Sequence, residues 1–140
     1  RSERRALSLS LLDVDDFKRL NDALGHQAGD DALRHLGRLL RVRVRPVDLS
    51  ARYGGEEFVI LLPDLDEAQA AEAVRAVQRA LTSDVFLHHS RQVFITFSAG
   101  VARVRDGEAL DDAVARADDA MYEAKRSGKN RVCVAARAAQ

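Results

Sequence analysis

The sequence predicts an α/β or α+β fold in which helices pack on a sheet. Short apolar or β-branched runs, which suit strands, are separated by longer stretches whose apolar residues recur every three or four positions, as on one face of a helix. Their order is strand, helix, helix, hairpin, helix, strand, helix and strand. That order places helices against a sheet, and 140 residues are enough for one domain with a single core.

The first part of the chain contains a strand and two helices. Leucine alternates with small serine residues at 7–12, which predicts a short central strand that helices can cover. A helix is predicted over residues 17–24, and Gly25 ends it. A second helix, with a stripe of leucines on one face, is predicted to begin at Asp30 or Asp31.

A β-hairpin is predicted after the second helix. Arginine and valine alternate with a period of two over residues 41–45, and Pro46 ends that segment. The hairpin covers residues 50–62, with Gly54-Gly55 as its two-residue turn. Glycine reaches the positive φ that such turns use, and a residue without Cβ also lets a ligand approach the backbone closely.

The second half of the chain alternates helices with strands. Asp66 is a suitable N-cap for a third helix, and a last helix is predicted over residues 110–126, with Gly128 in the C′ position. Both helices carry one apolar face. The remaining strands are predicted at residues 85–87, 92–104 and 131–135.

The composition excludes several kinds of partner. The formal net charge is zero, so no global field favours a nucleic-acid polymer or an anionic membrane. The single cysteine, Cys133, cannot form an internal disulfide, and the sequence has no run of membrane-spanning length and no signal peptide. We therefore expect a cytoplasmic domain without membrane contact, or the cytoplasmic part of a membrane-anchored protein. The opening Arg1-Ser2-Glu3-Arg4-Arg5 is expected to be the tail of a preceding segment, which would make the chain a fragment of a longer regulatory protein.

Acidic residues at two predicted strand ends are candidates for a metal site. Asp13 follows the first strand, the Val14 carbonyl lies beside it, and Glu56 follows the hairpin turn. Carboxylate and carbonyl oxygens suit a hard cation that carries a nucleotide's phosphates. Two alternatives remain: the aspartates could form an N-cap run for the next helix, and the glutamates of the hairpin could be a solvated, charged tip.

A second group of polar residues could bind a nucleotide. Lys18 lies in the first turn of a predicted helix, where an isolated cation is disfavoured unless a phosphate binds there. Asn21 and Asp30 bracket Gly25-His26, and an amide together with a carboxylate can match the edge of guanine. A solvated lysine, an Asx turn and a helix N-cap are the respective structural alternatives.

Two basic segments also allow more than one interpretation. Lys125 and Lys129 complement the dipole at the end of the last helix, and a P-loop is excluded there because Glu123 stands where its first glycine belongs. Arg45 and Asp48, three positions apart, form either a surface ion pair or a guanine-binding clamp.

Three segments together resemble one known family. Residues 54–58, GGEEF, match the GGDEF signature of bacterial diguanylate cyclases in its GGEEF form. Residues 13–30, DVDDFKRLNDALGHQAGD, resemble the family's first active-site segment, and residues 117–130, ADDAMYEAKRSGKN, resemble its C-terminal helix. The order and spacing of these segments cover nearly the whole chain.

The resemblance implies a fold and a reaction. The implied fold is an α+β, five-stranded, mainly antiparallel sheet with a ferredoxin-like βαββαβ core wrapped by helices, similar to the polymerase palm and the class III nucleotidyl cyclases. The implied reaction condenses two GTP into cyclic di-GMP and two pyrophosphates, in a homodimer whose domains each hold one GTP. The resemblance also implies Mg²⁺ (or Mn²⁺) as the cofactor and an upstream sensor domain.

The family's functional residues carry over by position. Glu56, as the base for the 3′-hydroxyl, and Lys18 are the implied catalytic residues. The implied metal ligands are Asp13, the Val14 carbonyl, Glu56 and Glu57. The implied substrate-binding residues are Asn21, His26, Asp30, Gly54, Gly55, Lys125 and Lys129. Arg45 and Asp48 occupy the positions of an inhibitory site for the product.

The chain departs from the family pattern at two places. It lacks the DxLTxLxNR-type segment and the helix that usually precede the first strand, and Lys129 stands where arginine is frequent, which keeps the charge but loses the planar fork. One alternative function is a catalytically silent module that binds GTP or cyclic di-GMP as a receptor, but such modules typically lose the signature acids, which this chain keeps. The other is a cyclase with relaxed purine choice, against which Asp30 argues.

Overall fold

The computed structural model describes residues 5–84 and 86–136. Residues 1–4, most of the predicted tail of a preceding segment, Val85 of a predicted strand, and residues 137–140 lie outside the described residues. The strands are β1 (Leu7–Val14), β2 (Leu49–Gly54), β3 (Glu57–Pro63), β4 (Phe86–His88), β5 (Arg91–Val93), β6 (Phe97–Arg103) and β7 (Val132–Val134). The helices are α1 (Phe17–Leu24), α2 (His26–Arg43), α3 (Glu67–Ser83) and α4 (Leu110–Arg126). No helix among these described residues is long and apolar enough to cross a membrane.

Five strands form one sheet in the order β2-β3-β1-β6-β7. The first four pair antiparallel with their neighbours, whereas β6 and β7 pair in parallel. The predicted α+β fold with a mainly antiparallel, five-stranded sheet is therefore confirmed, and the sheet is mixed because of its one parallel edge. Strands β4 and β5 form a separate two-stranded hairpin.

The central strand β1 is buried on both faces. Leu9 and Leu11 pack against the apolar face of α4, whereas Leu12 and Val14 belong to the larger core beneath α2 and α3. Ser10 is fully buried and donates from Oγ to the Gly100 carbonyl oxygen at 3.0 Å, because a buried hydroxyl needs a hydrogen-bond partner. The acidic end of β1 is thus held in the middle of the sheet.

Helix α4 packs directly on the backbone of β6 at Gly100. A Cβ at this position would overlap the Ala117 carbonyl oxygen and the Met121 backbone nitrogen. The missing side chain and the alanines of α4 let the helix lie close to the sheet. As a result, the last turn of α4 reaches the end of β1, where Lys125 meets Asp13.

Two boundaries of α2 differ from the prediction. The helix begins at His26 rather than at Asp30 or Asp31, because Gly25, with a φ of 95°, ends α1 and leads the chain directly into α2. It also continues to Arg43, so the first three residues of the arginine–valine segment are helical, and only from Val44 is the backbone extended. The period-two pattern does not produce a strand here, because its residues are mostly solvent-exposed and the backbone continues the hydrogen bonds of the helix.

The strands of the second half also differ from the prediction. The segment predicted as one strand over residues 92–104 forms β5 and β6, separated by residues 94–96. The two strands are separate because they pair with different partners, β5 with β4 and β6 with β1. The Asp15 N–H donates to the Thr96 carbonyl oxygen at 2.9 Å, next to the start of β6. The predicted helices are confirmed: Asp66 caps α3 in a reciprocal box with Gln69, and α4 ends with Gly128 at a φ of 130°.

Candidate active site

The end of β1 and the turn of the β2–β3 hairpin bring acidic residues together. Asp13 lies opposite Glu57 in the antiparallel ladder, and the Val14 N–H donates to the Glu56 carbonyl oxygen at 3.4 Å. The two acidic segments of the sequence are therefore neighbours, which is the condition for Glu56 to complete a metal site with Asp13. Asp13, Glu56 and Glu57 are referred to below as the acidic cluster.

The hairpin turn consists of Gly55 and Glu56, not of Gly54 and Gly55. Strand β2 ends at Gly54, which pairs with Glu57 after a register shift that follows Arg52. Neither glycine has a positive φ, so the predicted turn, which relied on glycine at positive φ, is wrong. A Cβ at either glycine would meet no atom within 4 Å. Open space therefore adjoins the backbone of the turn, and Glu56 extends from the turn itself.

Lys125, in the last turn of α4, lies next to the acidic cluster. Its Nζ donates to Asp13 Oδ1 at 2.9 Å and to the Val14 carbonyl oxygen at 3.3 Å, and it lies 3.3 Å from Asp15 Oδ1. The helix dipole that favours a cation here is thus accompanied by three specific oxygen partners. The two oxygens predicted for a metal, on Asp13 and Val14, both contact this ammonium group.

The crowding of charges changes the acidity of the cluster. Burial, followed by the charge of Asp13, raises the pKa of Glu56 and of Glu57. Burial also raises the pKa of Asp13, against the effect of its hydrogen bond with Lys125. Burial lowers the pKa of Lys125, but the hydrogen bond and charge of Asp13 outweigh it and raise that pKa overall. The cluster thus carries more negative charge than one ammonium group neutralises.

The oxygen donors of the cluster fit a hard divalent cation. Asp13, the Val14 carbonyl and Glu56 offer only oxygen, which is the ligand type that Mg²⁺ prefers. A bound cation would remove the repulsion that contributes to the raised pKa values of Asp13 and Glu56. Among residues 5–84 and 86–136, no three His, Cys, Asp or Glu side chains are arranged to hold a metal by themselves. The candidate site therefore depends on the Val14 carbonyl as well.

Asp15 is a buried anchor that the sequence analysis did not identify. Its carboxylate accepts from Thr96 Oγ1 at 2.6 Å, from Ser98 Oγ at 2.6 Å and from the Asn130 N–H at 3.0 Å. These bonds join the end of β1 to β6 and to the loop after α4, and so position the loop that follows Lys125. The sequence did contain a signal for Asp15: it lies two positions after Asp13, and residues two apart point to the same side of an extended chain.

The residues predicted to bind guanine lie where α1 meets α2. The Asn21 amide oxygen is buried without a hydrogen-bond partner among the described residues, and a Cβ on Gly29 would overlap it. An unpaired buried acceptor costs on the order of 1–3 kcal/mol. Asp30 and His26 are exposed in the first turns of α2. Because α2 begins at His26, Asp30 is not the N-cap that the structural alternative required.

The two other predicted phosphate-binding lysines have different surroundings. Lys18 is exposed on α1, where the described part of the chain offers it no hydrogen-bond or ion-pair partner. Lys129 donates to Asp16 Oδ1 at 2.6 Å, and this hydrogen bond lowers the pKa of Asp16. Asp16 has a left-handed backbone, and no side chain caps the start of α1. The acidic N-cap run proposed as an alternative is therefore wrong.

Arg45 and Asp48 form a well-defined pair in the loop between α2 and β2. Arg45 Nη2 donates to Asp48 Oδ1 at 2.6 Å, and Arg45 Nε lies 3.1 Å from both carboxylate oxygens. Arg45 Nη2 also donates to the Pro63 carbonyl oxygen at 2.7 Å. The side chain of Asp48 is 2% exposed, against 40% for Arg45, so a solvated surface ion pair does not describe this contact. The hydrogen bond with Asp48 raises the pKa of Arg45.

The Arg45–Asp48 pair is distant from the acidic cluster. It contacts β3 at Pro63, whereas the cluster contains Glu57 at the other end of the same strand. The length of β3 separates the two places by roughly 20 Å. Any effect of a ligand at Arg45 on the acidic cluster must therefore act through the hairpin or through a second molecule.

Comparison with protein families and curated proteins agrees with these features. The family model "Diguanylate cyclase, GGDEF domain" matches residues 1–131. "Diguanylate cyclase DgcP" of Pseudomonas aeruginosa is 41% identical over 129 residues, which are 92% of this chain and 19% of that protein. The chain also spans less than half of other curated relatives, such as a diguanylate cyclase of Treponema denticola, of which it covers 35%.

Solved structures have the same fold. The GGDEF domain of DgcB from Caulobacter crescentus, in complex with c-di-GMP, has a TM-score of 0.88 and 34% identity, over 93% of this chain and 78% of that one. The active GGEEF domain of a diguanylate cyclase from Vibrio cholerae has a TM-score of 0.86 and 32% identity, over 96% of this chain and 86% of that one.

Proposed function

The chain belongs to the GGDEF family of diguanylate cyclase domains, and we propose that it condenses two GTP into cyclic di-GMP with release of two pyrophosphates. The observation that carries this proposal is the convergence of Asp13, Glu56 and Glu57 beside Lys125. Phosphoryl transfer depends on positioned charge more than on a strong nucleophile. The names of the relatives and the intact acidic cluster both favour an enzyme over a silent receptor.

Mg²⁺, or Mn²⁺ in its place, would be held by Asp13, the Val14 carbonyl and Glu56, with Glu57 assisting. When bound, the metal neutralises charge on the phosphates of the substrate. Lys18, Lys125 and Lys129 supply further cationic nitrogens for the phosphates. Lys18 is exposed and has no competing partner among the described residues, whereas Lys125 would exchange carboxylate for phosphate oxygen.

Glu56 is the proposed base for the 3′-hydroxyl of the substrate. Burial and the charge of Asp13 raise its pKa, and a base is more effective when its pKa lies closer to the working pH. The open space beside Gly54 and Gly55 lets a nucleotide approach the turn that carries this glutamate.

Asp30, together with Asn21, is proposed to select guanine, with His26 in the same loop. A carboxylate accepts from the N1–H and N2–H₂ groups of guanine, which adenine does not present in the same pattern. Asp30→Ala should therefore reduce the preference for GTP over ATP by at least about tenfold, since a lost polar contact of this kind removes discrimination. Competition between the two nucleotides in one reaction measures this ratio, with exposed Asp22→Ala as the control. An unchanged ratio would remove Asp30 from the guanine site.

Two copies of the chain are proposed to act together. Each would hold one GTP, and the 3′-hydroxyl of one nucleotide attacks the α-phosphate of the other while pyrophosphate leaves. Because each copy would contribute its own acidic cluster and its own GTP, association of two domains would switch the activity. GTP is a cytoplasmic nucleotide, which is consistent with a cytoplasmic site of action.

Arg45 and Asp48 are proposed to bind cyclic di-GMP as an inhibitor. The planar fork of an arginine matches the O6 and N7 atoms of guanine. The pair is already held by its contact with Pro63, so little side-chain freedom would be lost on binding.

The proposed reaction can be tested directly. The protein is incubated with GTP and Mg²⁺ at rising protein concentration, and the nucleotides are resolved by chromatography. Cyclic di-GMP should form at a rate that rises more steeply than linearly with protein concentration, because two domains share each reaction. Glu56→Gln is the matched inactive control. A folded protein that forms no cyclic di-GMP at any concentration, including as the Arg45→Ala variant, would contradict the proposed activity.

A further inference from the structure

A cavity of about 280 Å³ lies between α2 and β2. Leu33, Leu40 and Phe58 form an apolar part of its wall. None of the residues proposed above to bind metal, guanine or phosphate lines it. The cavity is therefore distinct, by its lining, from the candidate active site.

Four arginines and no acidic residue line this cavity: Arg34, Arg38, Arg41 and Arg52. Arg34 pairs with Asp31 at 3.0 Å. Within residues 5–84 and 86–136, no carboxylate lies within ion-pair distance of the other three. Although the chain has no net charge, unneutralised guanidinium groups around one concave surface create a local positive potential that attracts anions.

Gly37 keeps the cavity open from the side of α2. A glycine within a helix costs about 1 kcal/mol relative to alanine, and no positive φ requires one at this position. Packing does not require it either, because a Cβ would lie 3.7 Å from Phe58 Cε2 and 3.9 Å from Arg41 Nη1, which are ordinary contact distances. A larger side chain in place of Gly37 would instead reduce the volume of the cavity.

We propose that this arginine cavity binds the polyphosphate chain of a small anion, either free pyrophosphate or a nucleoside triphosphate. Guanidinium forks bind phosphate oxygens bidentately, and several of them around one cavity suit a chain of adjacent phosphates, which concentrates several negative charges in a small volume. Isolated phosphodiesters would leave some of these cations unpaired. The apolar wall can additionally cover the nucleoside of a triphosphate.

One arginine connects the cavity to the hairpin turn. Arg52 Nε donates to the Gly55 carbonyl oxygen at 2.8 Å, and Gly55 precedes Glu56 in the turn. An anion bound by Arg52 is therefore connected to Glu56 of the acidic cluster through this hydrogen bond and the peptide unit that follows Gly55. Pyrophosphate is a product of the proposed reaction, but the binding proposal does not depend on that reaction.

The test is isothermal titration calorimetry with sodium pyrophosphate in metal-free buffer. The protein carries Lys18→Ala and Lys129→Ala, so that the exposed lysines proposed for the active site do not contribute. In this background, Arg38→Gln/Arg41→Gln should raise the Kd at least about tenfold, since a hydrogen bond to a charged group contributes that much. Gly37→Leu, which fills the cavity without changing charge, should weaken binding as well.

The matched control is Arg75→Gln/Arg79→Gln on α3. It removes the same charge at two arginines that each pair with Glu72, and it should change the Kd by less than a factor of about two. GTP should compete with pyrophosphate for the site, whereas cyclic di-GMP should not. Circular dichroism verifies that each variant is folded.

Four results would overturn the proposal: no pyrophosphate binding in the starting background, an unchanged Kd in the cavity variants, an equal loss in the α3 control, or displacement of pyrophosphate by cyclic di-GMP but not by GTP. Because binding is measured without turnover, a protein that fails to form cyclic di-GMP can still bind pyrophosphate as proposed. The two proposals can therefore fail separately.

Discussion

Replacing the buried carboxylate of Asp15 by an amide should destabilise the fold substantially. One oxygen of Asp15 accepts from Ser98 Oγ at 2.6 Å and lies 3.3 Å from Lys125 Nζ. The other accepts from Thr96 Oγ1 at 2.6 Å and from the Asn130 N–H at 3.0 Å. Asparagine offers a single oxygen, so its NH₂ group must face either the Lys125 ammonium or the Asn130 N–H, which are both donors.

The expected loss follows from this mismatch. A hydrogen bond to a charged group contributes about 1.5–3 kcal/mol, and a donor left unsatisfied in a buried position costs a further 1–3 kcal/mol. The side chain of Asp15 is 3% exposed, so solvent does not replace the lost bonds. We expect Asp15→Asn to lower the free energy of unfolding by about 2–4 kcal/mol.

Urea unfolding followed by circular dichroism measures this difference from the midpoint and slope of the transition. Asp16→Asn is the matched control, because Asp16 is the adjacent acid and pairs with Lys129 at an exposed position, where a salt bridge contributes about 1 kcal/mol or less. If Asp15→Asn costs less than about 1 kcal/mol, or no more than Asp16→Asn, the assignment of Asp15 as an anchor is refuted.

Three further predictions concern charge. Glu56→Gln should lower cyclic di-GMP formation by about 10²–10⁴-fold. It should not lower the melting temperature, because it removes a carboxylate whose pKa is raised by burial. Retained turnover would contradict the proposed role of Glu56. Arg45→Ala should raise the cyclic di-GMP concentration for half-inhibition at least about tenfold. It should also lower the free energy of unfolding by about 1–3 kcal/mol, a value reduced because Arg45 is partly exposed. Unchanged inhibition would exclude an inhibitory site at Arg45. Glu108 accepts from Arg116 at 2.8 and 2.9 Å, and this hydrogen bonding lowers its pKa to about 2. The stabilising contribution of Glu108 should be complete above its unfolded pKa and lost as the pH falls through about 2. Acid unfolding of Glu108→Gln should therefore lack that part of the pH dependence. An unchanged unfolding profile would contradict a stabilising role for the Glu108–Arg116 pair.

Much of the secondary structure could be predicted because it depends on near neighbours in the chain. The bounds of α1 and α4 agree with the apolar periodicity and with the glycines that follow them. The N-cap at Asp66 depends on Gln69, three positions away. Helix caps, helix faces and the order of strands and helices are set by residues within about one turn of each other, which a sequence displays directly.

The hairpin turn and the start of α2 were predicted less well. Gly54-Gly55 is the strongest local turn signal, but the pairing of Gly54 with Glu57 moves the turn by one residue. Asp30 is a good N-cap by composition, but Gly25 allows α2 to begin four residues earlier. The register of the β2–β3 ladder decided the position of the turn, and the junction of α1 and α2 at Gly25 decided the start of α2, in each case against the local sequence preference.

The sequence alone identified the acidic strand ends, the basic end of α4 and the Arg45–Asp48 pair, because their residue types and spacing are local. Only the tertiary structure placed Lys125 on Asp13, 112 positions away, buried Asp15 beneath β6, and left four arginines around one cavity. These contacts depend on the strand order and on the close packing of α4 at Gly100. The free energy of such contacts is shared between segments far apart in the chain, so no pattern within one segment reports it.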